Sequence, residues 1–296
     1  MKLSTNLQHQ QPLLNDAYNH RRFKGSYYLT GFVARIDDVK EPFWVITLSD
    51  ASGSLRVYCR DQTCIADGLS PQSLVDVEVS IDYRGTEPYF RCKLIQPSTV
   101  DLSKPKQISQ LPAALCQKPH ALQLLTEIIE SISDPLLEEF VINVLTQHDI
   151  GLRFIQCPAS ANHHHNYPGG LLEHSVEVAQ KLANELKNND EERDLAIVAA
   201  LLHDIGKTQT FTLNGERSAI GYIIDHNDLT LEVCASPLKI LHTKHAGLAN
   251  RLRHAWTCAS PGSRYGFKAK TLTANLLKRF DRQSASNATK ATNSIN

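Results

Sequence analysis

The stretch Ala200-Leu201-Leu202-His203-Asp204-Ile205-Gly206-Lys207 places a His and an Asp side by side at the end of an apolar segment. Only apolar residues occur from Leu195 to Leu202, which predicts an apolar helix ending at the His-Asp pair. Two adjacent polar side chains in a core cost free energy unless a partner compensates for their lost hydration. A divalent metal compensates well, because imidazole and carboxylate are both good ligands for Zn, Mn or Fe. The stretch therefore predicts a metal centre in a helical domain.

A second histidine motif lies upstream, in Pro168-Gly169-Gly170-Leu171-Leu172-Glu173-His174-Ser175. His174 precedes His203 by 29 residues and opens another predicted helix with a strongly apolar pattern. Together the two motifs resemble the HD superfamily of metal-dependent phosphohydrolases. The resemblance implies a helical fold and a metal-assisted hydrolysis of phosphate esters.

The resemblance also implies a set of metal ligands. The His, His-Asp and distal Asp of the family pattern correspond to His174, His203, Asp204 and Asp281. Asp204 is expected both to hold the metal and to orient the attacking water. Lys207 lies four residues after His203, on the same helical face, where its ammonium can neutralise phosphate charge. Asp204 and Lys207 are therefore the predicted catalytic residues, with Mn²⁺ as the favoured ion and Zn²⁺, Fe²⁺ or Ni²⁺ as alternatives.

A second metal is less well supported by the pattern. His226 corresponds to an additional histidine of the two-metal members of the superfamily. Those members often carry a further His-His-Gly motif, where this chain has Cys258-Ala259-Ser260-Pro261-Gly262. Upstream of His174, the run His163-His164-His165 is expected to direct one imidazole towards the substrate phosphate. The sequence thus leaves open whether one or two ions bind.

A strand pattern precedes the helical part of the chain. Between Ser26 and Pro97, five short segments rich in Val, Ile, Tyr and Phe are separated by turn residues such as Arg84-Gly85-Thr86. Apolar and polar residues alternate clearly in Leu74-Val75-Asp76-Val77-Glu78-Val79-Ser80-Ile81. Five short strands in about 70 residues fit a small closed barrel, for which the OB-fold is the common solution. The predicted fold class is therefore a multidomain chain, with an N-terminal five-stranded OB-like β-barrel and a C-terminal all-α HD domain.

Composition shifts set the expected domain boundaries. We expect a mobile arm over residues 1–24, the barrel over 25–97, a Pro-containing linker over 98–118, the HD domain over 119–282 and a disordered Ser- and Asn-rich tail over 283–296. The length of 296 residues accommodates two such domains.

Charge and cysteine usage narrow the class of protein. The formal net charge is zero, yet ten Lys or Arg and a single acid, Asp281, lie between Lys239 and Arg282, so a local basic surface is expected. The seven cysteines are scattered and form no CxxC motif, which is typical of reduced thiols in a cytoplasmic protein. The longest apolar run is far too short to span a membrane, and the first residues lack the apolar core of a signal peptide.

The order of barrel and HD domain resembles the YhaM-type 3′→5′ exoribonucleases over nearly the whole chain. The similarity includes Ile46-Thr47-Leu48-Ser49-Asp50-Ala51-Ser52-Gly53 and the residues from Phe154 to His164. It implies that the barrel binds single-stranded nucleic acid and that the HD site removes nucleotides from the 3′ end. Aromatic and basic side chains can form such a binding surface; the candidates are Tyr58, Arg60, Tyr83, Arg84 and Tyr89.

Three functions remain open at this point. The first is a metal-dependent 3′→5′ exonuclease on single-stranded nucleic acid, with RNA favoured over DNA. The second is another HD phosphohydrolase or a DNA-processing protein, since the HD part also resembles the corresponding domain of conjugative relaxases. The third is a non-catalytic single-strand-binding protein with a degenerate HD site. The expected partner is single-stranded RNA or DNA. No association with a membrane is expected, and the formation of a homo-oligomer is left open.

Overall fold

The computed structural model describes residues 11–98, 107–147, 149–161, 165–259 and 262–292, with the backbone alone for 285–292. The chain divides into two compact units, which are Met1–Leu115 and Cys116–Asn296. The first contains a five-stranded closed barrel and the second is helical, which confirms the predicted fold class.

Five strands form the barrel in the order β1-β2-β3-β5-β4. The parallel pair is β3 with β5, and the other neighbours are antiparallel. Alternation decides which side chains face inward: Val75, Val77 and Val79 are buried in the interior, as the sequence pattern requires. The strands are β1 (Arg22–Ile36), β2 (Pro42–Asp50), β3 (Gly53–Cys59), β4 (Ser73–Arg84) and β5 (Glu87–Pro97).

The expected mobile arm over residues 1–24 is wrong for its described part. A short 3₁₀ helix, Leu14–Asn19, packs on the barrel, and strand β1 already begins at Arg22. Leu14 and Ala17 lie in the barrel core because their three-residue spacing places both on one face of the 3₁₀ turn. The backbone N–H of Leu14 donates to Asp50 Oδ2 at 2.8 Å, which fixes the segment further. Residues 1–10 lie outside the described residues.

The expected linker over residues 98–118 is also shorter than predicted. Residues 107–115 belong to the barrel unit, where Ile108 and Leu111 are buried. The backbone N–H of Ala51 donates to the Ser109 carbonyl at 2.8 Å, so this segment is tied to the turn between β2 and β3. Residues 99–106 lie outside the described residues.

The helical unit is built around one apolar helix. Helix α5 is buried along its whole second half, from Asp194 to Leu202, and packs against α4, α8 and α9. A helix that is apolar on all faces is stable only when covered on all faces. The helices are α1 (Pro119–Glu130), α2 (Pro135–Leu145), α3 (Ile150–Gln156), α4 (Gly170–Glu185), α5 (Asp190–Leu202), α6 (Lys207–Thr210), α7 (His226–Lys244), α8 (Ala246–Thr257) and α9 (Leu272–Thr292).

The expected disordered tail over 283–296 is wrong for residues 283–292, because α9 continues to Thr292. Ser284 is only 2% exposed, and its hydroxyl is hydrogen-bonded within the helical unit. Residues 293–296 lie outside the described residues. Across the described part of the chain, no helix combines the length and apolarity needed to cross a membrane. All seven cysteines are free thiols.

Candidate metal centre

Helices α4, α5 and α9 bring the predicted ligands together. His174 lies in the second turn of α4, His203 and Asp204 directly follow α5, and Asp281 lies in the third turn of α9. Three ligand atoms lie within 4.8 Å of one another, one from each of His174, His203 and Asp281. The two imidazole Nε2 atoms are 3.2 Å apart, and Asp281 Oδ1 is 3.3 Å from His174 Nε2 and 3.5 Å from His203 Nε2.

Asp204 is not in this three-residue group but lies close to both of its imidazoles. Its Oδ2 lies 3.5 Å from His174 Nε2 and 3.4 Å from His203 Nε2. Two neighbouring imidazoles, each within 3.5 Å of both carboxylates, are a donor set suited to a divalent transition metal. The residues present therefore fit the metal that the sequence predicts.

The orientation of each imidazole also fits metal binding. His203 Nδ1 is 2.7 Å from the Ala200 carbonyl oxygen, an acceptor, so Nδ1 carries the proton and the Nε2 lone pair faces the cluster. His174 Nδ1 is 3.2 Å from Ser284 Oγ, and that hydroxyl donates to Glu177 Oε2 at 2.9 Å. The Ser284 oxygen therefore accepts the His174 proton, and the second Nε2 lone pair faces the cluster as well.

Electrostatics keep both carboxylates ionised. Burial alone would raise the pKa of Asp204, but the charges of His203 and Lys207 hold it well below its ordinary value. Burial likewise opposes ionisation of Asp281, but its close contacts with His174 and His203 lower its pKa. For His203, burial favours the neutral ring, yet the Asp204 charge raises its pKa. The centre thus pairs two anionic acids with two imidazoles.

Lys207 and His226 both contact Asp204. The Lys207 ammonium lies 2.6 Å from Asp204 Oδ2, and His226 Nε2 lies 3.2 Å from Asp204 Oδ1. Neither Asp204 nor His226 belongs to the three-residue group whose ligand atoms lie within 4.8 Å of one another; Asp204 contacts the two imidazoles of that group, and His226 contacts Asp204. The position of α7 depends on Gly206, where an added Cβ would stand 2.0 Å from the His226 carbonyl oxygen.

His165 lies beside the centre, with its ring centroid 5.5 Å from that of His174. Its Nδ1 is 2.8 Å from the Tyr167 hydroxyl, and its Nε2 is 3.5 Å from Glu177 Oε2. Burial and the neighbouring His174 lower the pKa of His165. The loop approaches α4 closely because Gly170 lacks a Cβ, which would stand 2.1 Å from the His165 carbonyl oxygen. His163 and His164 lie outside the described residues.

A cleft of about 130 Å³ opens onto the centre. This is smaller than the roughly 300–1,000 Å³ of pockets that enclose small organic ligands. The cleft admits a phosphate group more readily than a whole nucleotide. Its lining consists of His203, Asp204, His226, Asn227, Ala255, Trp256, Leu277, Lys278 and Asp281.

The predicted nucleic-acid-binding residues lie on the barrel, in the other unit. Tyr58 and Tyr89 are half-buried neighbours on β3 and β5, with ring centroids 6.2 Å apart. Arg60 is exposed, pairs with Asp37 at 2.6 Å and stacks over Phe43. The structure thus groups Tyr58 with Tyr89, and Phe43 extends this group because its ring lies 6.4 Å from Tyr58.

Tyr83 and Arg84 lie at the hairpin between β4 and β5, and Tyr83 is 64% exposed. They pair in register with Pro88 and Glu87, directly next to Tyr89. Four of the five predicted barrel residues therefore lie on or beside β5.

Ser284 and Glu177 are the site residues that the sequence interpretation missed. Each lies three residues after a predicted ligand, Ser284 after Asp281 and Glu177 after His174, so each shares a helical face with its ligand. This three-residue spacing is the sequence signal from which Ser284 and Glu177 could have been identified as neighbours of the ligands.

Comparison with known proteins finds a match to the HD domain within the helical unit. The family model of the HD domain matches residues 171–285, and a second model, described as "Putative helicase", matches residues 108–212. The chain is 26% identical over 245 residues to the 3′-5′ exoribonuclease YhaM of Oceanobacillus iheyensis, which covers 75% of this chain and 73% of the relative. It is 23% identical over 242 residues to YhaM of Halalkalibacterium halodurans, covering 75% and 72%.

A shorter match is to the dihydroneopterin 2′,3′-cyclic phosphate phosphodiesterase of Methanocaldococcus jannaschii, with 36% identity over 104 residues. It covers 30% of this chain and 42% of that relative. The predicted resemblance to barrel-bearing HD proteins of the YhaM type is thus confirmed. Residues 171–285, which match the HD domain model, contain His174, His203, Asp204 and Asp281, and three of these four residues line the cleft.

Proposed function

We propose that this chain is a metal-dependent 3′→5′ exonuclease that hydrolyses phosphodiester bonds of single-stranded nucleic acid, with RNA as the favoured substrate. The main support is the grouping of His174, His203 and Asp281 within residues that match the HD domain model, with Asp204 Oδ2 3.5 and 3.4 Å from the two imidazoles. The YhaM relatives, which are named exoribonucleases, match across three quarters of the chain.

In this proposal His174, His203, Asp204 and Asp281 hold a divalent ion, with Mn²⁺ favoured. The bound ion would supply Lewis acidity for attack of water on the phosphorus. Ser284 and the Ala200 carbonyl hold the two imidazoles in the tautomer that ligation requires. His203, Asp204 and Asp281 line the cleft, so a terminal phosphodiester that enters the cleft would reach these three side chains.

Asp204 and Lys207 have the further catalytic roles. Asp204 would orient the water; its contacts with His226, Lys207 and the two ligand imidazoles support a position next to the bound ion. Lys207 would neutralise charge on the phosphate as it reacts. His165 lies close enough to His174 to contact a substrate phosphate. A second, weaker ion would use His226 with Asp204 Oδ1, which are 3.2 Å apart.

The barrel would supply affinity for the strand. Tyr58 and Tyr89 present aromatic rings on which bases can stack, and Arg60, Tyr83 and Arg84 extend this surface. Phosphate contacts to such residues make binding fall steeply with salt, whereas stacking makes it tolerant of sequence.

The test combines metal analysis with a nuclease assay on the full chain. Wild type should bind a divalent ion and shorten 5′-labelled single strands one nucleotide at a time from the 3′ end. Asp204→Ala should lose the metal and the activity, whereas Asp190→Asn, an exposed acid at the start of α5, should keep both. Full metal content and activity in Asp204→Ala would refute the site assignment.

Two specific observations favour other functions. The helicase-family match over residues 108–212 favours a DNA-processing protein, and the archaeal relative favours a smaller cyclic phosphodiester. Parallel assays on RNA, DNA and a nucleoside 2′,3′-cyclic phosphate separate these alternatives. If no substrate is hydrolysed with any divalent ion, the non-catalytic single-strand-binding alternative gains support. The cytoplasmic location and the oligomeric state stay predictions.

A further inference from the structure

Two large aromatic side chains are exposed in the loop between α8 and α9. Tyr265 is 79% and Phe267 is 78% exposed, on either side of Gly266. We call residues 262–271 the aromatic loop. Neighbouring aromatic rings left in water often mark a binding surface, because burying them elsewhere would stabilise the fold.

The backbone of the aromatic loop is nevertheless fixed. The Ala259 N–H donates to the Phe267 carbonyl at 2.8 Å, and the Lys270 N–H donates to His254 Nε2 at 2.9 Å. Gly266 has φ of +97°, and a Cβ there would stand 3.0 Å from Ala259 Cβ. The two rings are therefore held outward on an anchored backbone.

The cations of the aromatic loop have no acidic partners among the described residues. Arg264, Lys268 and Lys270 form none of the ion pairs found there, and the sequence has no Asp or Glu between Cys258 and Phe280. The Arg264 guanidinium lies 5.6 Å from the Tyr265 ring centroid, and the Lys270 ammonium lies 5.8 Å from that of Phe267. Aromatic rings beside unpaired cations complement bases and phosphates, respectively.

The aromatic loop joins two helices that line the cleft. Trp256 of α8 and Lys278 of α9 are both lining residues. From Leu272 to Asp281, α9 rises about 14 Å at 1.5 Å per residue. A stacked strand covers this distance in about four nucleotides at ~3.4 Å each. Lys278 lies between the aromatic loop and the metal centre, where it can contact an intervening phosphate.

We propose that the aromatic loop is a second binding site for single-stranded nucleic acid, on the 5′ side of the bond that is cleaved. Bases stack on Tyr265 and Phe267, and phosphates contact Arg264, Lys268 and Lys270. The proposal rests on the proposed function, because it assumes that the strand ends at the metal centre. It predicts that strands of three nucleotides are too short to reach the loop and that strands of ten or more engage it.

The test is the double variant Tyr265→Ala/Phe267→Ala in the full chain, assayed on strands of three and twelve nucleotides with the same 3′ end. KM for the twelve-nucleotide strand should rise by at least about 5-fold, the smallest loss expected for even one stacked base, with kcat unchanged. Kinetics on the three-nucleotide strand should not change. The exchanged variant Tyr265→Phe/Phe267→Tyr keeps both rings and should retain wild-type KM. An equal KM change for both strands, or no change for either, would overturn the proposal.

A binding experiment separates this proposal from the proposed function. Fluorescence anisotropy of a labelled twelve-nucleotide strand, with metal-free protein, needs no hydrolysis. Lys268→Gln/Lys270→Gln should reduce the dependence of log K on log salt by about 1.4, or about 0.7 for each lost phosphate contact. Lys187→Gln, an exposed lysine after α4, is the matched control and should leave the slope unchanged.

Two further outcomes are decisive. If wild type binds the strand through the aromatic loop but hydrolyses nothing, the proposed function fails and the binding site stands. If the alanine double variant binds the strand normally but changes the sedimentation mass of the protein, the loop joins copies of this chain and the proposal is wrong.

Discussion

Ser284→Ala should weaken metal binding although Ser284 is not a ligand. The hydroxyl donates to Glu177 at 2.9 Å and lies 3.2 Å from His174 Nδ1, so it fixes both the tautomer and the ring orientation of a ligand histidine. Loss of such a partner typically costs 10- to 100-fold in metal affinity. This corresponds to about 1.4–2.7 kcal/mol of binding free energy. Competition of the full chain against a chromophoric chelator for Mn²⁺ or Zn²⁺ measures the change.

Ser175→Ala is the matched control for this experiment. Ser175 adjoins His174 and is fully buried, yet its hydroxyl has no hydrogen-bond partner among the described residues. Because the Ser175 hydroxyl makes no hydrogen bond to these residues, its removal breaks none. Metal affinity should therefore stay within about twofold of wild type. Thermal unfolding of both metal-free variants checks that neither is misfolded. Equal metal affinities for Ser284→Ala and Ser175→Ala would refute the reasoning.

Three further predictions concern stability, pH and catalysis. Gly206→Ala should lower the free energy of unfolding by about 1–3 kcal/mol in metal-free protein, because the new Cβ meets the His226 carbonyl oxygen at 2.0 Å; an unchanged Tm would contradict this. Burial alone would raise the pKa of Glu192, but the hydrogen bonds that Glu192 accepts and the Arg251 charge lower this pKa below its ordinary value of 4.5. The stability that Glu192 contributes is therefore present above pH 4.5 and is lost as the pH falls through the pKa of the folded state. Denaturant titrations of wild type and Glu192→Gln should therefore differ at pH 7, and the difference should shrink progressively as the pH falls below 4.5. Lys207→Ala should lower kcat on long strands with little change in KM, and steady-state kinetics showing a change in KM alone would contradict its catalytic role.

The barrel was predictable because alternation is a local signal. Val75, Val77 and Val79 face inward as their spacing requires, and the neighbouring strands repeat the pattern. Leu14 and Leu111 could not be assigned in this way. Neither lies in a segment with strand alternation or a long helical period; Leu14 is buried in the barrel core, and Leu111 is buried in the same unit. Periodicity does not reveal a single side chain that completes a core formed by other residues.

The ligands of the metal centre were predictable from the sequence, whereas the residues that hydrogen-bond to these ligands were not. Residue types and spacing were enough to propose His174, His203, Asp204 and Asp281, and the structure brings these four side chains together. The outer contacts depend on tertiary structure. His174 and Ser284 are 110 residues apart, so nothing local in the sequence pairs them.

Asp281 is the ligand whose position depends most on tertiary contacts. His174 and His203–Asp204 belong to helices that pack directly on each other, whereas Asp281 is partly exposed on α9. Polar contacts hold α9 on both sides of this ligand: the Thr273 N–H donates to Glu192 at 3.0 Å, and Ser284 bonds to Glu177. A carboxylate must stay within a few tenths of an ångström of its place to remain a ligand. Loss of either contact should therefore reduce metal affinity first, and activity at saturating metal much less. The segment from 283 onward, which composition alone predicts to be disordered, supplies one of these two contacts.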